Sequence, residues 1–186
     1  MRNILRFGRF GWLRYRVEGG QIFGTMPFPN LKVFEGNQTW AYSKFGFNLM
    51  NYYEFAADRY ATIVLHQHFE GWFWNKLPLL RKLKFKEVIH ARAAWGSLTT
   101  ANQALNNVDV PIGDGQVFQQ RVIAPTLEPY IEAGVGLYNI LKIFRVDAIW
   151  RLNYHDLSYQ NNPDIPKANW GPRNNFGIRF DLQLNF

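Results

Sequence analysis

The chain has 186 residues, 47% of them hydrophobic and 17% aromatic, with 15 Gly, 9 Pro, no Cys and a net charge of +7. That length fits one domain, and so much apolar side chain excludes a disordered chain. The lack of cysteine excludes disulfide frameworks, thiolate zinc sites and cysteine nucleophiles, while the positive charge points to anionic partners such as phosphates.

The N-terminal segment MRNILRFGRFGWLRYR is basic but has no apolar stretch of signal-peptide length. At its end and just beyond, Leu13, Tyr15 and Val17 alternate with Arg14, Arg16 and Glu18, the period of a β-strand. Residues 39–50, TWAYSKFGFNLM, are aromatic-rich but alternate poorly, and form a candidate seventh strand. Over 59–70, Ala61, Ile63, Leu65 and Phe69 oppose Thr62, His66, His68 and Glu70, with Val64 and Gln67 out of pattern. The only helical candidate is PLLRKLK at 78–84, a turn or two long. Over 85–96, Phe85, Ile89, Ala91, Ala93 and Trp95 oppose Lys86, His90, Arg92 and Gly96.

A long polar connection follows at 97–126. Its IGDGQ at 112–116 lacks the Lys and the helix of a phosphate loop and reads as a surface turn. Over 127–137, Leu127, Ile131, Ala133, Val135 and Leu137 oppose Glu128, Tyr130, Glu132, Gly134 and Gly136, with Pro129 weakening the start. After a hairpin-length link, Phe144, Val146, Ala148, Trp150, Leu152 and Tyr154 oppose Arg145, Asp147, Arg151, Asn153 and His155, with Ile149 as the violation. A second long connection covers 156–173. The last twelve residues, NFGIRFDLQLNF, alternate perfectly, every apolar side chain on one face and every polar side chain or Gly on the other.

These strands predict an all-β, antiparallel fold, a single domain over 1–186. No window holds the roughly 18 consecutive apolar residues of a spanning helix, but a barrel strand needs only one apolar face. Three features favour a transmembrane β-barrel over a soluble sandwich. Full charges run along the polar face, short and long connections alternate, and aromatics gather at strand ends (Trp72, Phe73, Trp74; Trp95, Tyr154, Tyr159). Six or seven strands do not close a barrel of at least eight, so the expectation is a C-terminal partial barrel with strands preceding residue 1. The alternatives are a soluble β-sandwich that binds carbohydrate through its Trp and Tyr residues, and a complete small eight-stranded barrel with adhesin-like loops.

The segments GGQIFGTMPFPNL at 19–31, GNQTWAYSKFGFNLMNYYEFAADRYA at 36–61, HQHFEGWFWNKLPLLRKLKFKEV at 66–88 and EPYIEAGVGLYNILKIFRVDAIWRLNY at 128–154, with the terminal NFGIRFDLQLNF, resemble a family of large Bacteroidetes outer-membrane barrels. Members carry an N-terminal carboxypeptidase-regulatory-like domain and a long region of unassigned function. The family is similar in turn to the surface-antigen superfamily, whose best-known members insert or translocate outer-membrane proteins. Those assembly factors have an Arg-Gly-Phe tip on a loop folded into the barrel; here that position falls on 24–52, which has no Arg-Gly-Phe.

The resemblance implies a bacterial outer-membrane location and a structural role in a barrel of the transport or outer-membrane biogenesis type. It implies lipid as one partner and the assembly machinery as another, recognising Gly177, Phe180, Leu182, Leu184 and Phe186 of the last strand. It also implies that 71–84 and 138–143 are periplasmic, and 97–126 and 156–173 external.

Few residues suggest chemistry. His66, His68 and Glu70 share a strand face and, with His90, are the candidate metal ligands, against a plain hydrogen-bonded network. Glu54 and Asp58 beside Arg59 form a candidate acid/base pair, against a salt-bridged feature at a strand start. Arg81, Lys82, Lys84 and Lys86 form a basic turn suited to lipid phosphate. Nucleic acid is not expected, because the aromatics lie on the parity opposite Arg and Lys. No catalytic constellation or cofactor motif is present, so a non-enzymatic chain is expected.

Overall fold

The computed structural model describes residues 1–76, 81–113, 116–120, 122–126, 128–155 and 175–182. Seven strands form one antiparallel sheet in the order β1 (Arg2–Arg6), β2 (Trp12–Gln21), β5 (Arg59–His68), β6 (Lys86–Ser97), β9 (Tyr130–Ile140), β10 (Phe144–Arg151) and β11 (Phe176–Leu182). Every neighbour in that order is also the next long strand in the chain. The sheet is therefore a meander built from sequential hairpins, the pairing that costs least loop entropy. It is open: among the described residues β1 and β11 are not paired with each other. No helix among the described residues is long and apolar enough to cross a membrane.

Register carries the alternation from strand to strand. His66 lies opposite both Arg14 and His90, and Arg92 lies opposite Glu132, which lies opposite Arg151. Polar residues thus collect on one face, called inner below, and apolar ones on the outer face. The two faces are the reverse of a water-soluble sheet. Arg92, Arg145, Arg151, Glu132 and Asp147 are at most 2% exposed, whereas Ile89, Val135, Trp150, Ile178, Phe180 and Leu182 are 42–60% exposed.

Connections at one end are the turn 7–11, the segment 69–85 and the turn 141–143. At the other end they are 22–58, 98–129 and 152–175. The first of the long ones holds two short strands, β3 (Lys32–Val33) and β4 (Ala56–Ala57), that pair with each other. The second holds a helix, α1 (Thr100–Asn106), and a hairpin of β7 (Val108–Gly113) and β8 (Gln116–Gln120).

Four sequence expectations are corrected. Strand β1 was not foreseen. Its register puts Ile4 on the face of Arg14 and Asn3 on the face of Tyr15, so it lacks the alternation of the others. The candidate strand at 39–50 is irregular and only Ala41 makes a β-bridge, because its aromatics anchor a loop instead. Of PLLRKLK, Arg81–Leu83 is a single 3₁₀ turn, while 77–80 lie outside the described residues. The helix α1 was missed, since TANQALN is too short to show an amphipathic period.

Candidate functional site

The inner face is covered by the connection 22–58, which folds back over the sheet. Phe34, Phe47, Met50 and Phe55 from this loop pack with Ala94 of β6 and Tyr130 of β9, all at most 3% exposed. Further along, Tyr42 and Leu49 pack on Ile149, which explains the one break in the alternation of β10: an apolar residue faces inward because an apolar patch of loop lies on it. Val64, also out of pattern, is buried on the same face.

Polar contacts set the loop's position. The Glu132 carboxylate accepts the backbone N–H groups of Asn48, Leu49 and Met50 at 2.8, 2.7 and 3.1 Å, and the Tyr130 hydroxyl at 2.7 Å. Three successive amides converging on one anion make a backbone nest, here filled by a side chain. Arg179 donates to Asn48 O at 2.8 Å, on the other side of the same residue. Arg151 makes a two-pronged ion pair with Glu54, at 2.5 and 3.2 Å, and Glu54 in turn accepts the Asn51 N–H. A buried ion pair with both partners further hydrogen-bonded escapes most of the desolvation penalty.

Tyr42 is a further buried anchor. Its hydroxyl accepts a 2.7 Å hydrogen bond from Arg92 and lies 3.3 Å from His66 Nε2. The Arg145 guanidinium sits 4.1 Å from its ring centroid, a cation–π contact. Burial pushes the Tyr42 phenol above its ordinary value, so it stays neutral. Beneath it, Arg145 grips Asp147 at 2.6 and 2.7 Å, and His90 Nε2 lies 3.1 Å from the same carboxylate. His90 and Asp147 stand on strands separated by β9. They meet because β9 presents Gly134 and Gly136 between them, where an added Cβ would come within 2.4 Å of the His90 ring and 2.2 Å of Asp147 Oδ1.

The metal-ligand set is not assembled, and no group of three or more metal-binding side chains occurs among the described residues. His66 is engaged by Tyr42, and Arg92 Nη2 lies 3.4 Å from its Nε2. His68 stacks flat on Trp12 at 3.7 Å, its ring nitrogens without hydrogen-bond partners among the described residues. Glu70 has left the strand with a positive φ of 53° and binds Trp12, Tyr138 and Lys86 instead. Burial opposes its ionisation, but the Lys86 ammonium and the Trp12 indole outweigh that and hold its carboxyl below the usual range.

The other candidates also separate. Glu54 serves Arg151, whereas Asp58 accepts from Thr99 N–H and Asn102 Nδ2, so the two carboxylates have separate partners and do not form an acid/base pair. The basic run divides: Arg81, Lys82 and Lys84 are exposed, while Lys86 turns to Glu70. In β11, Gly177 faces inward, where a Cβ would press on Leu49 at 2.8 Å. Phe180 and Leu182 face outward, and Leu184 and Phe186 lie outside the described residues.

Around the site, two further features escaped sequence reasoning: the docking of 22–58 and the clasp around α1. In the clasp, Asn102 accepts Met26 N–H at 2.7 Å and donates to Gly24 O, while Asn106 donates to Met26 O. A faint signal for the docking existed in Glu132, an acid on the inward parity followed there by Gly134 and Gly136.

Neither the curated proteins nor the solved structures include a match to this chain. Residues 1–103 do match the C-terminal domain of a family of unknown function, DUF5686, a span that contains β1 to β6 and the whole of the docked loop. The protein whose sheet buries its charges under that loop is thus a member of the DUF5686 family.

Proposed function

We propose that this chain is the C-terminal wall of a bacterial outer-membrane β-barrel. The seven strands cross the bilayer, the outer face meets hydrocarbon, and the loop 22–58 fills the interior. The observation that carries this reading is the inverted burial. Ile89, Val135, Trp150, Ile178, Phe180 and Leu182 stand exposed on one face, while arginines and carboxylates are sealed on the other. Water would disfavour that exposed face, whereas lipid makes it the stable arrangement.

Connection lengths agree with this reading, short at the end it makes periplasmic and long at the external end. In lipid the open edges of β1 and β11, apart from the rung that Phe180 shares with the loop, would leave backbone groups without partners, so further strands of the same barrel close the sheet. The chain's contribution is structural and non-catalytic, in a protein of the transport or outer-membrane biogenesis class. Its partners are outer-membrane lipid and, through β11, the machinery that inserts barrels.

The test is reconstitution of the intact protein into phospholipid vesicles whose acyl chains carry bromine. Tryptophan emission, with Trp95 and Trp150 on the outer face, is expected to be quenched, and the protein to resist carbonate extraction. A protein that stays monomeric in buffer without detergent and shows no quenching would overturn the reading.

A further inference from the structure

The segment 69–74 does not simply turn at the end of the sheet; it bends back over the outer face. The cause is Glu87, an acid on the otherwise apolar parity of β6. Its Oε2 accepts the Gly71 N–H at 2.9 Å, and its Oε1 accepts those of Phe73 and Trp74 at 2.9 and 2.7 Å. The carboxylate is thereby a peg from which the turn hangs, and its charge is taken up by backbone amides. Phe69, Trp72 and Trp74 then form a wall standing on a floor of outer-face residues from β6, β9 and β10, including Ile89, Val135 and Ala148. Between wall and floor lies a groove of about 560 Å³, the size of a small-molecule site. Among the described residues, Glu87 is the one charged residue that lines it.

The rim has the opposite character. Lys76 Nζ lies 3.9 Å from the Trp72 ring centroid, Arg81, Lys82 and Lys84 are exposed, and Lys142 is exposed two residues beyond Ile140 of the lining. Lys84 is tied to the β9 end by Asn139, whose Nδ2 donates to Lys84 O at 2.7 Å. The nearby acids do not neutralise this rim: Glu87 is occupied by amides, and Glu70 by Lys86, Trp12 and Tyr138. An apolar slot edged by exposed cations matches an amphiphile with a hydrocarbon chain and an anionic head. A peptide would find almost no partner in the slot for its backbone polar groups.

We propose that this groove binds one acyl chain of a glycerophospholipid of the periplasmic leaflet, with the lipid phosphate held by Lys76, Lys82, Lys84 and Lys142. The inference rests on the membrane placement proposed above, and adds to it a defined lipid site where a plain barrel wall would have none. Glu87 is its positioning residue, since it sets the aromatic wall.

The experiment uses the intact protein in detergent and native mass spectrometry. The probes are palmitoyl-oleoyl-phosphatidylglycerol and palmitoyl-oleoyl-glycerol, which has the same chains without phosphate. The wild type is expected to retain one phosphatidylglycerol in preference to the phosphate-free probe. Ala148→Phe fills the slot while keeping the outer face apolar, and is expected to weaken retention of both probes about tenfold. Combined Lys82→Gln, Lys84→Gln and Lys142→Gln should erase at least about tenfold of the preference for the phosphate-bearing probe.

Equal retention by all variants, no adduct in the wild type, or a dimer in place of the adduct would overturn the lipid site. Folding of each variant is checked by heat-shifted electrophoretic mobility. If Ala148→Phe does not fold, the exposed lysine variants decide through the ratio of the two probes. Insertion into brominated vesicles is scored separately, so a chain that enters the bilayer without retaining lipid loses this inference and keeps its barrel.

Discussion

At the scale of the residue, the fold is shaped most by what is missing from β9. Gly134 and Gly136 let His90 and Asp147 reach each other across an intervening strand, and leave room for the guanidinium of Arg145 to hold that carboxylate. Neither glycine needs an unusual backbone; the requirement is close approach. Gly136→Ala would place a methyl 2.2 Å from Asp147 Oδ1, so the carboxylate must move and its bonds to Arg145 and contact with His90 loosen. The expected cost is roughly 1–3 kcal/mol, read as a lower urea midpoint for the reconstituted protein. Ala133→Gly, a change on the outer face of the same strand, controls for β-propensity. The sequence showed these glycines on the inward parity, but not why. The reason lies in side chains from two other strands.

Among the elements, the clasp at the long-connection end joins two connections that are remote in sequence, 22–58 and 98–129. Asp58 is its hub, accepting Thr99 N–H at 2.7 Å and Asn102 Nδ2 at 2.8 Å, while Asn102 and Asn106 hold Gly24 and Met26. Burial opposes ionisation of Asp58, but the hydrogen bonds from Asn102 and Thr99 outweigh it, so its carboxyl lies below the usual range. A depressed carboxyl contributes stability above its unfolded value, about 3.9, that is lost as pH falls through the folded value. Hydrogen exchange at the Thr99 and Met26 amides, corrected for intrinsic rates, is therefore expected to accelerate only in that acid window. Asp58→Asn should remove this pH dependence. The strands flanking the clasp were legible because alternation is local. The clasp itself and the docked loop were not, because their contacts are long-range: Asn48 is 84 residues from Glu132, and Met26 is 76 from Asn102.

For the molecule as a whole, the two faces of the sheet follow opposite rules, and this was the most legible property of the chain. Perfect alternation over 175–186 marked an all-apolar face, and the described part, β11, carries it outward. Closure was less legible, and the sheet is open. Under the membrane proposal, Leu182→Arg on the outer face should cost about 2–4 kcal/mol near mid-bilayer and less toward the interface. Its measure is a drop in the fraction inserted into vesicles, with Asp181→Asn on the inner face as the comparison. A last consequence attaches to the loop segment 40–42. Tyr42 N–H donates to Phe180 O at 2.7 Å and Phe180 N–H donates to Trp40 O at 3.0 Å, so one rung on the open margin of β11 is already occupied by the chain itself. A newcomer zipping along that margin must skip the rung or evict its tenant, and eviction would pull on the tyrosine wedged among the arginines. Under the barrel proposal, a closing strand and the docked loop are thus rivals for a single residue's backbone, and whichever yields would set how tightly the wall can be sewn shut.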